Sequence, residues 1–84
     1  MSYYLYIIEC SDGSLYTGWT NNLSKRMEAH NSGKGAKYTR SRRPVLLKYV
    51  KKCQGLSEAL KMECRIKKLN RGQKEALLRG EGVF

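Results

Sequence analysis

The dipeptide Asp12-Gly13 constrains this chain more than any other feature. It separates two short runs, Tyr3 to Glu9 and Leu15 to Gly18, both rich in residues that suit strands. Asp-Gly is a strong tight-turn signal because glycine accepts the positive φ that such turns demand. Tyr, Ile and Thr fit a pleated, half-buried surface. The stretch 3–18 therefore reads as a β-hairpin. The chain has 84 residues, which suits one domain over 1–84. A chain of this length buries only about 60–65% of its unfolded surface, so the core is small. A shallow cleft facing a large partner fits this size better than an enclosed pocket.

The remaining elements follow from caps and periodicity. Thr20-Asn21-Asn22 offers N-cap side chains for a helix running to about His30, where Asn31-Ser32-Gly33 stops it. Leu23, Met27 and His30 share one face of that helix, with Arg26 at its border one turn from His30. Residues 33–44, GKGAKYTRSRRP, read as a loop. Val45 to Val50 reads as a third strand. Ser57 can cap a helix to about Leu69 with Ala59, Met62, Ile66 and Leu69 as its apolar stripe. Asn70 and Gln73 resemble a capping box for a last helix through Arg79. Gly80 and Gly82 suggest a frayed tail over 80–84. The order β-β-α-β-α-α implies the α+β class, with a small, mainly antiparallel three-stranded sheet flanked by helices.

Charge narrows the partners. Seventeen Lys and Arg stand against seven Asp and Glu, a net charge of +10. That balance favours a polyanion, either nucleic acid or an anionic membrane surface. No apolar run approaches the roughly 20 residues of a membrane span, and Tyr3 to Ile8 is too short for a signal peptide. The expectation is a cytoplasmic protein that meets nucleic acid and no membrane. Cys10, Cys53 and Cys64 form no C-x-x-C pair, which argues against structural zinc and a disulfide framework. They read as reduced, partly buried thiols.

Five residues stand out for chemistry. Tyr6, Tyr16, Arg26 and His30 place two phenols, a guanidinium and an imidazole within 25 residues. Such a set could orient a phosphate and take a proton from water. Each has a simpler explanation alone. The tyrosines could be packing in strands, Arg26 a solvated charge, and His30 a helix C-terminal cap. A free phenol, with a pKa of about 10, is a poor base at neutral pH and would need a cation beside it. Glu63 flanks the apolar stripe of its helix, so its carboxylate should be solvated, paired or bound to a metal. An ion pair with Lys67 at i+4 or with Arg26 is one reading. Mg²⁺ is the other, since it needs only one or two protein carboxylates. Seven dispersed acids argue against a two-metal site. In the basic loop, Lys34, Lys37, Arg40, Arg42 and Arg43 could contact phosphates without reading sequence. Tyr38 could stack on an unpaired base. A solvated charged loop is the alternative.

Together these residues resemble the GIY-YIG nuclease superfamily, and in particular its small stand-alone bacterial members, the UPF0213 group. The likeness covers about residues 3–75. Tyr4-Leu5-Tyr6 resembles the first motif and Tyr16-Thr17-Gly18 the second. Arg26, His30 and Glu63 fall at the superfamily's arginine, its histidine or tyrosine, and its metal-binding glutamate. The stretches 30–44 (HNSGKGAKYTRSRRP) and 57–69 (SEALKMECRIKKL) are similar to the small-protein group. The resemblance implies a three-stranded sheet flanked by helices, and phosphodiester hydrolysis with one Mg²⁺ or Mn²⁺. It implies Tyr16 as the base toward water and Arg26 as the group stabilising the pentacovalent phosphate. Tyr6 and His30 would assist, and Glu63 would hold the ion. Tyr4 replaces the first motif's glycine, Thr17 the second motif's isoleucine, and Trp19 a lysine found in some repair nucleases. Asn70 follows Glu63 too closely to match the asparagine of larger relatives.

The leading expectation is a metal-dependent endonuclease acting on structured, nicked or single-stranded DNA in repair or DNA processing. Competing with it are a non-catalytic nucleic-acid binder that kept the fold and a small module that recruits a protein partner. DNA is favoured over RNA as substrate, and a monomer or weak dimer is expected.

Overall fold

The computed structural model describes residues 2–81. The chain runs β1 (Tyr3–Glu9), β2 (Leu15–Thr20), α1 (Leu23–Asn31), α2 (Lys37–Arg40), β3 (Leu46–Cys53), α3 (Leu56–Lys67) and α4 (Arg71–Leu78). The three strands form one antiparallel sheet in the order β2-β1-β3. The fold is α+β, as expected.

The hairpin closes at Asp12-Gly13. Gly13 has φ +84, its N–H donates to the Cys10 carbonyl at 2.9 Å, and Cys10 N–H donates to the Ser14 carbonyl at 2.8 Å. Tyr6 then faces Gly18, and Ile8 faces Tyr16, across the β1–β2 ladder.

Strand β1 is central, and Leu5, Tyr6, Ile7 and Ile8 are all buried. Alternation sends them to two layers. Leu5 and Ile7 pack with Ala59, Met62 and Ile66 of α3 and Leu77 of α4. Tyr6 and Ile8 pack with Cys10 and Val45, covered by Tyr16 and by Leu23 and Met27 of α1. A strand covered on both faces reads as a continuous apolar run. Thr17, opposite Ile7, is buried, and its hydroxyl has no hydrogen-bond partner among the described residues.

Several boundaries differ from the sequence expectation, each for a physical reason. Residues 33–44 are not all loop. Lys37–Arg40 make a one-turn helix, closed by Arg40 N–H to the Ala36 carbonyl at 3.1 Å and anchored by buried Thr39. Strand β2 continues to Thr20. Strand β3 continues through Lys51 and Lys52, which pair with Leu5 and Tyr4. Lysines on an edge strand discourage pairing with other chains and mask the strand in the sequence. Helix α3 begins at Leu56 with Gly55 at its N-cap and no side-chain cap, so Ser57 lies inside the first turn. The helix ends at Lys67, and Leu69 follows it half-buried.

The Asn70–Gln73 capping box forms in both directions. Gly80 N–H donates to the Leu77 carbonyl at 3.0 Å and Glu81 N–H to the Ala76 carbonyl at 2.9 Å. With φ +80 at Gly80 this is a Schellman cap, so residues 80 and 81 close α4 instead of fraying. The rest of the expected tail, 82–84, lies outside the described residues. Cys10 and Cys53 are buried thiols, whereas Cys64 is exposed. Among the described residues no helix is long and apolar enough to cross a membrane.

Candidate active site

A cleft of about 420 Å³ is lined by Tyr6, Tyr16, Gly18, Trp19, Thr20, Asn21, Arg26 and Glu63. Four of the five residues singled out from the sequence thus share one cavity wall. They do not all come from one side of the sheet. Tyr6, Tyr16 and Arg26 belong to the α1 layer, whereas Glu63 rides on α3 in the opposite layer. The two layers meet at the Gly18–Asn21 end of β2. Gly18 is required there: a Cβ on it would stand 2.6 Å from Tyr6 Oη. Trp19 packs on Tyr3, with ring centroids 6.0 Å apart.

The fifth residue, His30, lies behind the wall and is 0% exposed. Its Nε2 is 2.8 Å from Tyr6 Oη and its Nδ1 is 2.9 Å from Thr39 Oγ1. It is therefore neither a helix cap nor a group that can touch substrate. Arg26 Nε donates to Tyr6 Oη at 3.3 Å, and Arg26 Nη2 donates to the Gly35 carbonyl at 3.0 Å. Gly35 lies so close to His30 that a Cβ there would meet His30 Cα at 2.7 Å. Two residues in this arrangement, buried Thr39 and half-buried Gly35, were not picked out from the sequence. The tripeptide Gly33-Lys34-Gly35 was the only trace, and nothing in the sequence marks Thr39 as buried.

Burial shifts both members of the inner pair. It raises the Tyr6 phenol, against the opposing pull of its hydrogen bond and proximity to Arg26. Burial also lowers His30, and the Arg26 charge lowers it further. His30 is thus held neutral. Because its folded pKa lies below the unfolded value of about 6.5, the unfolded state binds the extra proton first. The stability from His30 is full above that value and is lost as pH falls below it toward the folded pKa. The urea midpoint should fall between about pH 7 and pH 5, above most carboxylate titrations. A flat midpoint, with the single histidine titrating at or above its ordinary value by NMR, would contradict this.

Glu63 has its side chain 22% exposed, and Lys67 Nζ lies 3.6 Å from its carboxylate. The expected i,i+4 pair is present, and the carboxylate still reaches the cleft. Among the described residues no three His, Cys, Asp or Glu side chains converge as a metal cluster. One carboxylate beside an open cleft fits an ion that keeps its waters, as Mg²⁺ does. It does not fit an all-protein metal cage.

In the basic loop, Lys34, Lys37 and Arg40 are exposed, and Tyr38 is 40% exposed. Tyr38 stacks against Tyr16 with centroids 5.9 Å apart. Arg42 lies 4.0 Å over the Tyr38 ring and pairs with Asp12 at 3.0 Å. Arg43 donates to the carbonyls of Arg40 and Asn31. Arg42 and Arg43 therefore hold the loop's shape, while Lys34, Lys37 and Arg40 point their charge outward. Asn31 pins the far end, accepting from Val45 N–H at 2.8 Å.

A fold and cleft of this kind define a class. A family model described as the GIY-YIG catalytic domain matches residues 2–76. The chain is 56% identical over 77 residues to a UPF0213 protein of Syntrophus aciditrophicus, covering 90% of this chain and 88% of that one. It is 52% identical over 75 residues to a UPF0213 protein of Halobacterium salinarum, covering 89% and 97%. The solution NMR structure of a UPF0213 protein from Bacillus halodurans matches with TM-score 0.64 and 45% identity, over 98% of this chain and 87% of that one. That of a protein from E. faecalis matches with TM-score 0.66 and 45% identity, over 95% and 85%. The chain belongs to the UPF0213 group of the GIY-YIG family.

Proposed function

We propose that this protein is a metal-dependent endonuclease that hydrolyses phosphodiester bonds in structured, nicked or single-stranded DNA. The observation that carries the reading is the convergence of Tyr16, Arg26 and Glu63 on one open cleft. A packing role explains each alone, but not a shared cavity beside an exposed basic loop.

The chemistry follows from the placement. The basic loop and the net charge of +10 draw the polyanion in. Arg26, tethered to Tyr6 and to the Gly35 carbonyl, presents its remaining N–H groups to the phosphate. There it meets the charge that grows on the non-bridging oxygens. Water attacks phosphorus as the bond to the leaving oxygen breaks; Tyr16, acting in its phenolate form, takes the water's proton, and the leaving oxygen takes a proton from solvent. Tyr6 is buried and kept protonated, so it orients Arg26 and does not act as the base. Glu63 would hold Mg²⁺ or Mn²⁺, which supplies Lewis-acid stabilisation of the phosphoryl oxygens.

The test is cleavage of end-labelled single-stranded, duplex, flap and nicked DNA with Mg²⁺, Mn²⁺ or EDTA. Cleavage that needs metal is expected. With Lys37→Ala and Arg40→Ala, binding should weaken on every substrate alike, and each change should flatten the salt slope by about one unit. If no substrate is cut above the EDTA control, the nuclease reading is overturned and a nucleic-acid-binding domain remains.

A further inference from the structure

Tyr6, His30 and Thr39 are all buried, and their bonds run in one chain from the cleft to the basic loop. Donor chemistry gives that chain a direction. Arg26 can only donate, so the Tyr6 oxygen accepts from it. At the other end, Thr39 Oγ1 lies 3.2 Å from the Ala36 carbonyl, which can only accept. Given to that carbonyl, the one hydroxyl proton of Thr39 leaves its oxygen to accept from His30 Nδ1–H, 2.9 Å away. A neutral imidazole protonated on Nδ1 has only an acceptor at Nε2. Tyr6 must then donate its own proton inward to Nε2.

We infer that Thr39 is a positioning residue for the cleft: by accepting from His30 Nδ1–H it fixes the tautomer that turns the Tyr6 proton inward and leaves the Tyr6 oxygen to hold Arg26. With the other tautomer, Nε2–H would donate to the same oxygen. The Tyr6 proton would then turn outward, toward the guanidinium that also needs that oxygen. Thr39 rides on α2 between Lys37 and Arg40. The residue that sets the tautomer thus sits on the segment that would grip phosphate, so a well-formed loop and a correctly held arginine go together. Gly35 belongs to the same device, since its bare Cα admits His30 and its carbonyl binds Arg26.

The single histidine makes the test direct. Long-range ¹H–¹⁵N correlation on ¹⁵N-labelled protein should show His30 as the Nδ1–H tautomer. Thr39→Val, which keeps the shape and loses the hydroxyl, should move it toward Nε2–H, and Thr39→Ser should restore it. The kinetic arm rests on the nuclease reading. There kcat should fall about ten- to a hundredfold in Thr39→Val with KM little changed, and recover in Thr39→Ser. This is the scale on which groups that fix a histidine tautomer act at metal sites. An Nε2–H signature in the unaltered protein would overturn the inference without any variant. So would a Thr39→Val protein that keeps both the Nδ1–H pattern and full kcat. If the unaltered protein cuts nothing, the nuclease reading fails separately, and the spectra still decide the tautomer.

Discussion

Replacing Glu63 with alanine should lower metal-dependent cleavage by about 10³-fold or more, since the variant loses a fixed transition-state charge and its ion together. Stability should barely change. Among the described residues the only ion pair at Glu63 is with Lys67, whose side chain is 54% exposed. An exposed i,i+4 pair is worth about 0.3–0.5 kcal/mol, and alanine's helix propensity offsets part of that. DNA binding without metal should hold or tighten, because a negative charge leaves the cleft that, on the nuclease reading, receives phosphate. The control is Lys67→Ala. If Glu63 were only a surface pairing partner, both variants would behave alike, with near-normal cleavage. Glu63→Ala retaining cleavage within about threefold of the unaltered protein, well under one tenfold step of 1.36 kcal/mol, would remove Glu63 from the site.

What the amino-acid order makes legible here depends on distance along the chain. Strand β1 and the Asp12-Gly13 turn are visible because their signals are local: an apolar run beside a dipeptide that needs positive φ. The Asn70–Gln73 box is visible for the same reason. The short helix α2 is not, because GAKYTRS has no apolar period, and the helix exists to bury one threonine against a histidine nine residues away. Strand β3 is legible only as far as Val50, since Lys51 and Lys52 pair as strand while looking like surface. The site shows the same division. Tyr6, Tyr16, Arg26 and Glu63 could be named from motif spacing. That Glu63 arrives from the opposite layer, and that His30 lies behind the wall, are facts of packing between distant elements. Arg42 and Arg43 show it too: their charge is as visible as that of Lys37, but Asp12, the Tyr38 ring and the carbonyls that hold them are not.

Arg26→Ala is the second large effect, and it should act on three observables at once. Cleavage should fall about 10²- to 10³-fold through loss of a donor at the developing phosphate charge. Stability should fall by about 1–3 kcal/mol, because the Gly35 carbonyl and the Tyr6 oxygen both lose a donor in a half-buried setting. The His30 pKa should rise toward its ordinary value, since the Arg26 charge is one of the two causes that lower it. The acid-sensitive window of stability should therefore narrow. Arg26→Lys separates charge from geometry. A lysine ammonium keeps the positive charge that draws phosphate, so binding should survive. It lacks the planar fork that reaches Tyr6 Oη, the Gly35 carbonyl and a phosphate together, so the rate should recover only in part. A lysine variant with full rate would mean that Arg26 contributes charge alone and that its tethers to Tyr6 and Gly35 serve only the fold. An alanine variant whose histidine titration stays unchanged would place the guanidinium away from the Tyr6–His30 pair and break the chain of contacts from cleft to loop.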